Sequence, residues 1–403
     1  MSTECEGRPY IVNHPAVRLW YRPMASSAIE SSLMKLPRHS SIRVLLFVLS
    51  ALAAASCNTI LPCLCGIGAS QGDALPVITP PIEGPTFSLA SIPTDPALYP
   101  YNHASSIIAL PDGSLLVAWG AGTEELATDT RIVLSRRPAG SSGWTNPVIV
   151  ADKPGRADAN PVLFLAPDNV VWLIYVEMFG ATFCESVVMA QTSADAGSTW
   201  TSPCPLLPTV CTLVRNHPII LKSGRWLLPA YVQGVYASQF WASDDAGGTW
   251  WPGEPMLTLP ENNLQPAVVE RSDGSLFALA RRSGDASYTW SMESADCGRN
   301  WSLHVRDDLP NPNSGLDMVR LSTGEFVTAY NDSSSERTPL VVAFSLDEGI
   351  TWSPPRIIAD GPPQLSYPSL VESPDGTIHC TYSDDLTSIA VVSFNRAWLY
   401  APN

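Results

Sequence analysis

Ser193 to Trp200 reads SADAGSTW, and this stretch recurs three times. Ser243 to Trp250 reads SDDAGGTW, Ser294 to Trp301 reads SADCGRNW, and Ser345 to Trp352 reads SLDEGITW. Their aspartates, Asp195, Asp245, Asp296 and Asp347, follow one another at intervals of 50, 51 and 51 residues. A fixed period of that size signals an array of supersecondary units. In the shared pattern S-x-D-x-G-x-[TN]-W, Asp accepts hydrogen bonds from backbone N–H groups two residues on. Gly supplies a positive φ, and Trp covers the turn with a large apolar ring. Each copy therefore reads as a turn between two strands.

A second series runs through the same region. A Gly- or Asp-containing turn precedes an apolar strand six times, at Asp112, Asp168, Gly224, Asp273, Gly324 and Asp375. Another apolar segment comes before each turn, so the pairs read as β-hairpins. Six units of about four strands predict an all-β chain folded as a six-bladed β-propeller. The first unit lacks the Asp of the third turn, in SRRPAGSSGW. The last unit is one strand short, and the segment from Phe87 to Ile92 is expected to complete it and close the ring.

Outward from the repeats, the chain divides into four parts. Residues 1–43 are basic and poor in structural signal, and are expected to be disordered. Residues 44–69 carry an apolar run that reads as a signal peptide starting near Met34 or as an uncleaved signal-anchor crossing the membrane. Both versions place the repeats in the secretory pathway, secreted or anchored with the propeller luminal. Residues 70–100 are a Pro-rich linker holding the candidate closing strand. Residues 101–400 are the propeller, expected as a monomer. The net charge of −15 argues against nucleic acid and anionic membrane surfaces as partners.

Five of the nine cysteines lie in the repeats: Cys184, Cys204, Cys211, Cys297 and Cys380. Their spacing matches no zinc site. Cys204 and Cys211 are near enough in sequence for a local disulfide, and buried free thiols are the equal alternative. Asn300-Trp-Ser and Asn331-Asp-Ser are permissible glycosylation sequons. No cofactor or metal is called for.

The Asp-box turns in a six-unit array resemble the sialidase superfamily. The stretch NPNSGLDMVRLSTGEFVTAYN, followed by ERTPL and SYPSL, resembles most closely its BNR-repeat, sialidase-like branch. The resemblance covers residues 100–395. It implies a six-bladed propeller, a glycan or glycoconjugate substrate, and Asp boxes that lie on the outer rim away from the chemistry. Ligands would meet the loops before the first strand and after the second strand of each blade.

By the same resemblance, Tyr367 in SYPSL matches the nucleophile, a phenol that needs activation because its usual pKa is near 10. Arg281 and Arg337 match two of three arginines that hold a carboxylated sugar, a task suited to a planar two-pronged donor. Asp129 matches the acid/base aspartate. The third arginine falls at His103 and the nucleophile's carboxylate partner at Gln265, which cannot take a proton as a carboxylate does. Asp384 and Asp385 stand where basic residues are expected. His103 reads as partly exposed and serves as a base or makes a structural hydrogen bond. Asn160, Arg215, Asn313 and Asp317 occupy equivalent inner loops and are candidate sugar ligands. Asn311 and the same Asn-Pro sequences also suit turn capping. Glu124 and Glu125 either flank the pocket or form a solvated acidic loop, the second being the preferred reading. The functions left open are an exo-glycosidase on an acidic sugar, a lyase on uronic-acid polysaccharide, and a binding propeller without turnover.

Overall fold

The structure, a computed structural model, describes residues 83–258, 261–283 and 288–402, all within one compact unit. The expected signal or anchor segment lies outside the described residues, and no described helix is long and apolar enough to cross a membrane.

Strand β1 (Phe87–Ser91) comes first in the chain but belongs to the last sheet. Blade I comprises β2 (Tyr101–Ala109), β3 (Leu115–Gly122), β4 (Arg131–Arg137) and β5 (Val148–Ala151). Blade II comprises β6 (Asp158–Leu165), β7 (Val171–Met178), β8 (Ser186–Ser193) and β9 (Cys204–Val210). In blade III the inner strand is split into β10 (Thr212–Val214) and β11 (Ile219–Ile220). Both pair with β12 (Trp226–Val232), which is followed by β13 (Ala237–Ser243) and β14 (Trp251–Pro252). Blade IV comprises β15 (Leu264–Glu270), β16 (Leu276–Arg281), β17 (Tyr288–Ser294) and β18 (Ser302–Pro310). Blade V comprises β19 (Asp317–Arg320), β20 (Phe326–Asn331), β21 (Leu340–Ser345) and β22 (Arg356–Ala359). Blade VI is β23 (Leu365–Glu372), β24 (Ile378–Asp384) and β25 (Ser388–Phe394), completed by β1, which runs antiparallel to β25. A short helix, α1 (Arg396–Tyr400), ends the described chain. Its cap, Asn395, also accepts from Thr86 N and donates to Gly84 O, so one side chain ties both ends of the blade.

The hydrophobic core lies between blades. The main apolar clusters cross blade boundaries, such as Leu116 and Leu134 of blade I with Leu163 and Leu173 of blade II. The ring closes in the same way, with Val117 and Trp119 of blade I packed among Ile389 and Val391 of blade VI.

The Asp boxes are inter-blade fasteners. They sit between the third and fourth strands of blades II to V. In the first, Asp195 accepts from Ser193 Oγ, Thr199 N and Thr199 Oγ1 at 2.7, 2.8 and 2.6 Å. The backbone donor is thus four residues on, not two. The two-residue pattern occurs instead in the inner hairpins, where Asp112 accepts from Ser114 N. Each box glycine has a positive φ and faces the preceding blade. A Cβ on Gly197, Gly247, Gly298 or Gly349 would meet Leu116, Trp172, Leu227 or Phe277 respectively.

Cys211 is disulfide-bonded to Cys184, not to Cys204. The reason is geometric: β9 runs extended between positions 204 and 211, holding them roughly 20 Å apart at about 3.3 Å per residue. Cys380 is a buried free thiol. Asn331 is fully buried and donates to Leu365 O, so that sequon is inaccessible in the folded blade.

Candidate active site on the propeller axis

The inner strands share one irregularity that builds the site. Register shifts interrupt β2, β6, β15 and β23 near their starts. Ala104, Asn160, Gln265 and Tyr367 sit in these breaks with φ of 60°, 49°, 53° and 57°. Asn313, just before β19, has φ 59°. Non-glycine residues in the left-handed region are strained and gather at functional sites. The same turn repeated around the axis brings residues distant in sequence to one end of the channel.

A cavity of about 300 Å³ opens there, lined by His103, Asn160, Gln265, Arg281, Arg337 and Tyr367 among others. Six of the ten expected site residues therefore converge. The other four are placed differently. Asp129 accepts from Thr123 N and Oγ1 and does not line the cavity. Glu125, from the same loop, does line it, which favours the pocket-flanking reading over the preferred one of a solvated loop residue. Asn313 stands behind the two arginines. Its Oδ1 accepts from Arg281 Nη2 at 2.7 Å and its carbonyl from Arg337 Nη2 at 3.0 Å. Arg215 and Asp317 are buried beneath the cavity. Asn311 closes a turn with Ser314.

The phenol of Tyr367 is the focus. Its oxygen accepts from Arg281 Nη1 at 2.8 Å and from Gln265 Nε2 at 3.4 Å. Gln265 Oε1 accepts from Arg281 at 3.0 Å, which orients the amide with its NH₂ toward Tyr367 and Tyr231. Burial raises the Tyr367 pKa, but Arg281 and Arg337 outweigh it, so the phenol lies below its usual value. Gly315 packs beside the ring, and a Cβ there would come within 3.3 Å of Tyr367 Cγ and Gln265 Oε1.

His103 is buried, not partly exposed, and its ring centre lies 4.3 Å from that of Tyr367. Burial and the nearby Arg215, Arg337 and Arg281 push its pKa down to about 3, so it is neutral near pH 7. Its Nδ1 pairs with Ser383 Oγ at 2.9 Å. Among the described residues, neither Arg281 nor Arg337 has a carboxylate within 4.0 Å. In a chain of net charge −15, two guanidiniums facing a cavity with no ion-pair partner within 4.0 Å among the described residues, Glu125 being a more distant charge in the same lining, leave room for an anionic ligand.

Sequence reasoning passed over Tyr231, Tyr236, Gln364 and Phe183, which also line the wall. Tyr231 lies near the end of β12, a second strand of its blade, where the axial-loop rule applied to every blade would have found it. Asp384 ends β24 and Asp385 opens the turn after it, where Leu386, not either aspartate, reaches the cavity.

Residues 113–380 match the model of the BNR repeat-like domain. The chain belongs to the BNR repeat-like family. A sialidase of Micromonospora viridifaciens is 27% identical over 203 residues, which is 48% of this chain but only 29% of that protein's length. Solved structures share the fold of this BNR-repeat protein at low identity. A Dyadobacter fermentans protein of unknown function has a TM-score of 0.66 at 16% identity, over 76% of this chain and 97% of its own. The intramolecular trans-sialidase of Ruminococcus gnavus, in complex with oseltamivir carboxylate, has 0.63 at 15%, over 75% and 96%. A Hadza microbial sialidase has 0.63 at 18%, over 73% and 65%. The BNR-repeat protein is thus a sialidase-like member of that superfamily.

Proposed function

We propose that this protein is a sialidase-like exo-glycosidase acting on a sugar that bears a carboxylate. The observation that carries the reading is the pair Arg281 and Arg337, free of carboxylate partners among the described residues and flanking Tyr367 at 6.0 and 5.7 Å from its ring centre. The two guanidiniums bind the sugar carboxylate. Tyr367, its phenolate favoured by the same charges, attacks the anomeric carbon. The bond to the leaving oxygen breaks, and that oxygen takes a proton from the loop of residues 123–130. Glu125 is the better-placed donor, since it lines the cavity and Asp129 does not. Water then cleaves the glycosyl–tyrosine bond, giving its proton to the same carboxylate and releasing the phenolate.

Gln265 changes how the phenol is activated. A carboxylate at that place would accept the phenol proton, whereas the amide donates to the phenol oxygen. Ionisation of Tyr367 is therefore favoured by Arg281, Arg337 and the Gln265 amide hydrogen bond, with no carboxylate base at that place. The sialidase relative, and the neighbour solved with an acidic ligand, support the substrate class.

The test is turnover of aryl sialosides and aryl uronides by the purified protein and by Tyr367→Phe. Release of the aglycone that disappears in Tyr367→Phe is the expected result. An unsaturated uronic product would select a lyase instead. Tight binding with no release would select a binding propeller.

A further inference from the structure

Arg215 follows β10, where the inner strand of blade III is interrupted, and its side chain runs under the cavity. It is 2% exposed. Its Nη2 donates to Tyr367 O at 2.7 Å and to Pro368 O at 2.9 Å. The guanidinium carbon stands 5.2 Å from the centre of the Tyr367 ring. A residue of blade III thus crosses beneath the axis and grips blade VI at the reacting side chain.

The need for that grip follows from the backbone. The register between β23 and β24 shifts between Ser366 and Ser369, so the ladder skips Tyr367 and Pro368. Their carbonyls require another donor, because a buried carbonyl without one is costly. Tyr367 itself holds φ 57° immediately before a proline. Such a turn persists only where its surroundings over-determine it. Arg215 supplies donors to both carbonyls. Asp317, also 2% exposed, is the carboxylate whose charge acts on Arg215; it lies 3.9 Å from His217 Nδ1 and is fixed by Met318 N and Leu370 N at 2.8 and 2.7 Å.

We propose that Arg215, countered by Asp317, is a positioning residue that fixes the strained Tyr367 turn and aims its phenol oxygen at Arg281 and the cavity. The proposal rests on the reading of Tyr367 as nucleophile. Arg215 touches no substrate; it acts through the Tyr367 backbone and through its charge behind the ring. Among the described residues, the other charged or titratable groups facing Tyr367 are Tyr101 and His103 on β2, Glu125 in the blade I loop, Tyr231 on β12, Arg281 on β16 and Arg337 before β21.

The experiment compares the full chain with Arg215→Lys, Arg215→Met and Tyr367→Phe. Phenolate absorbance is followed as pH rises, and the Tyr367→Phe curve is subtracted to isolate Tyr367, a measurement that needs no substrate. In the wild type, Tyr367 ionises below the usual phenol value. Arg215→Met moves that ionisation upward and lowers kcat about 100-fold with little change in KM, as expected for a misplaced reacting group. Arg215→Lys keeps the charge but spans one carbonyl, so ionisation stays near wild type while kcat falls less. Wild-type ionisation and kcat in both variants would overturn the proposal. If Arg215→Met does not fold, wild-type kcat in Arg215→Lys overturns it alone. An ordinary phenol value in the wild type, with turnover preserved in Tyr367→Phe, would refute the nucleophile reading itself.

Discussion

Gly349→Ala tests whether the repeated boxes fasten one blade to the next. Gly349 has φ 92°, and a Cβ there would lie 2.7 Å from Phe277 Cε1 and 2.9 Å from Cδ1 and Cζ. Phe277 cannot withdraw easily. It is 1% exposed, packs near Phe326 with ring centres 6.3 Å apart, and carries the Arg271 guanidinium 5.0 Å from its centre. The left-handed backbone alone costs an alanine roughly 1 kcal/mol or somewhat more. Overpacking against a fixed ring adds about 1–3 kcal/mol. Gly376→Ala separates the two effects, because Gly376 has φ 83° and nothing within 4 Å of its would-be Cβ. Urea unfolding of both variants is the assay. Gly349→Ala should lose about 1–3 kcal/mol more than Gly376→Ala. Equal losses would mean that the box does not press on the neighbouring blade.

Other outcomes follow from the site and the fold. Arg337→Ala should raise KM on the acidic substrate about 10- to 100-fold, the worth of a charge-assisted hydrogen bond, and Arg337→Lys should restore little of it. In steady-state kinetics, kcat/KM should rise with pH through the ionisation of Tyr367, with a midpoint below 10 because Arg281 and Arg337 lower that pKa. Burial pushes Asp158 up to about 7, so its neutral form is favoured in the folded state. The associated stability is present below about pH 4 and is lost as pH rises to about 7, on the order of 4 kcal/mol. Asp158→Asn should therefore gain stability relative to wild type by about that amount between pH 4 and pH 8 in denaturation curves. Replacing Cys184 and Cys211 by serine opens a loop with a sequence separation of 27. Loop-closure entropy predicts a loss of about 3–4 kcal/mol, measurable by calorimetry or denaturant titration.

The propeller was legible because its signals are local and repeated. Asp195 and its counterparts set the period, the hairpin turns marked the strands, and the missing strand of blade VI pointed to residues 87–92, of which Phe87–Ser91 forms the strand. The cavity was partly legible, because residues before the inner strands face the axis whatever their spacing. Side-chain direction was not. Asp317 begins β19 like a cavity residue, yet its carboxylate turns inward to Leu370 N. Arg215 is similar, since the break in blade III sends it beneath the floor. Glu125 and Asp129 share one short loop, and only its folded path decides which reaches the cavity. The Cys184–Cys211 pairing depends on the length of β9, which no local spacing encodes.

The central claim is that Tyr367 attacks an acidic sugar held by Arg281 and Arg337. The most direct measurement is mass spectrometry of the protein after exposure to a fluorinated acidic glycosyl fluoride, which slows breakdown of a glycosyl–enzyme bond. The account predicts one added sugar on the peptide carrying Tyr367, absent in Tyr367→Phe and much reduced in Arg337→Ala. Reaction of the sugar with a different residue, or turnover of natural substrate with no adduct and no dependence on Tyr367, would contradict it.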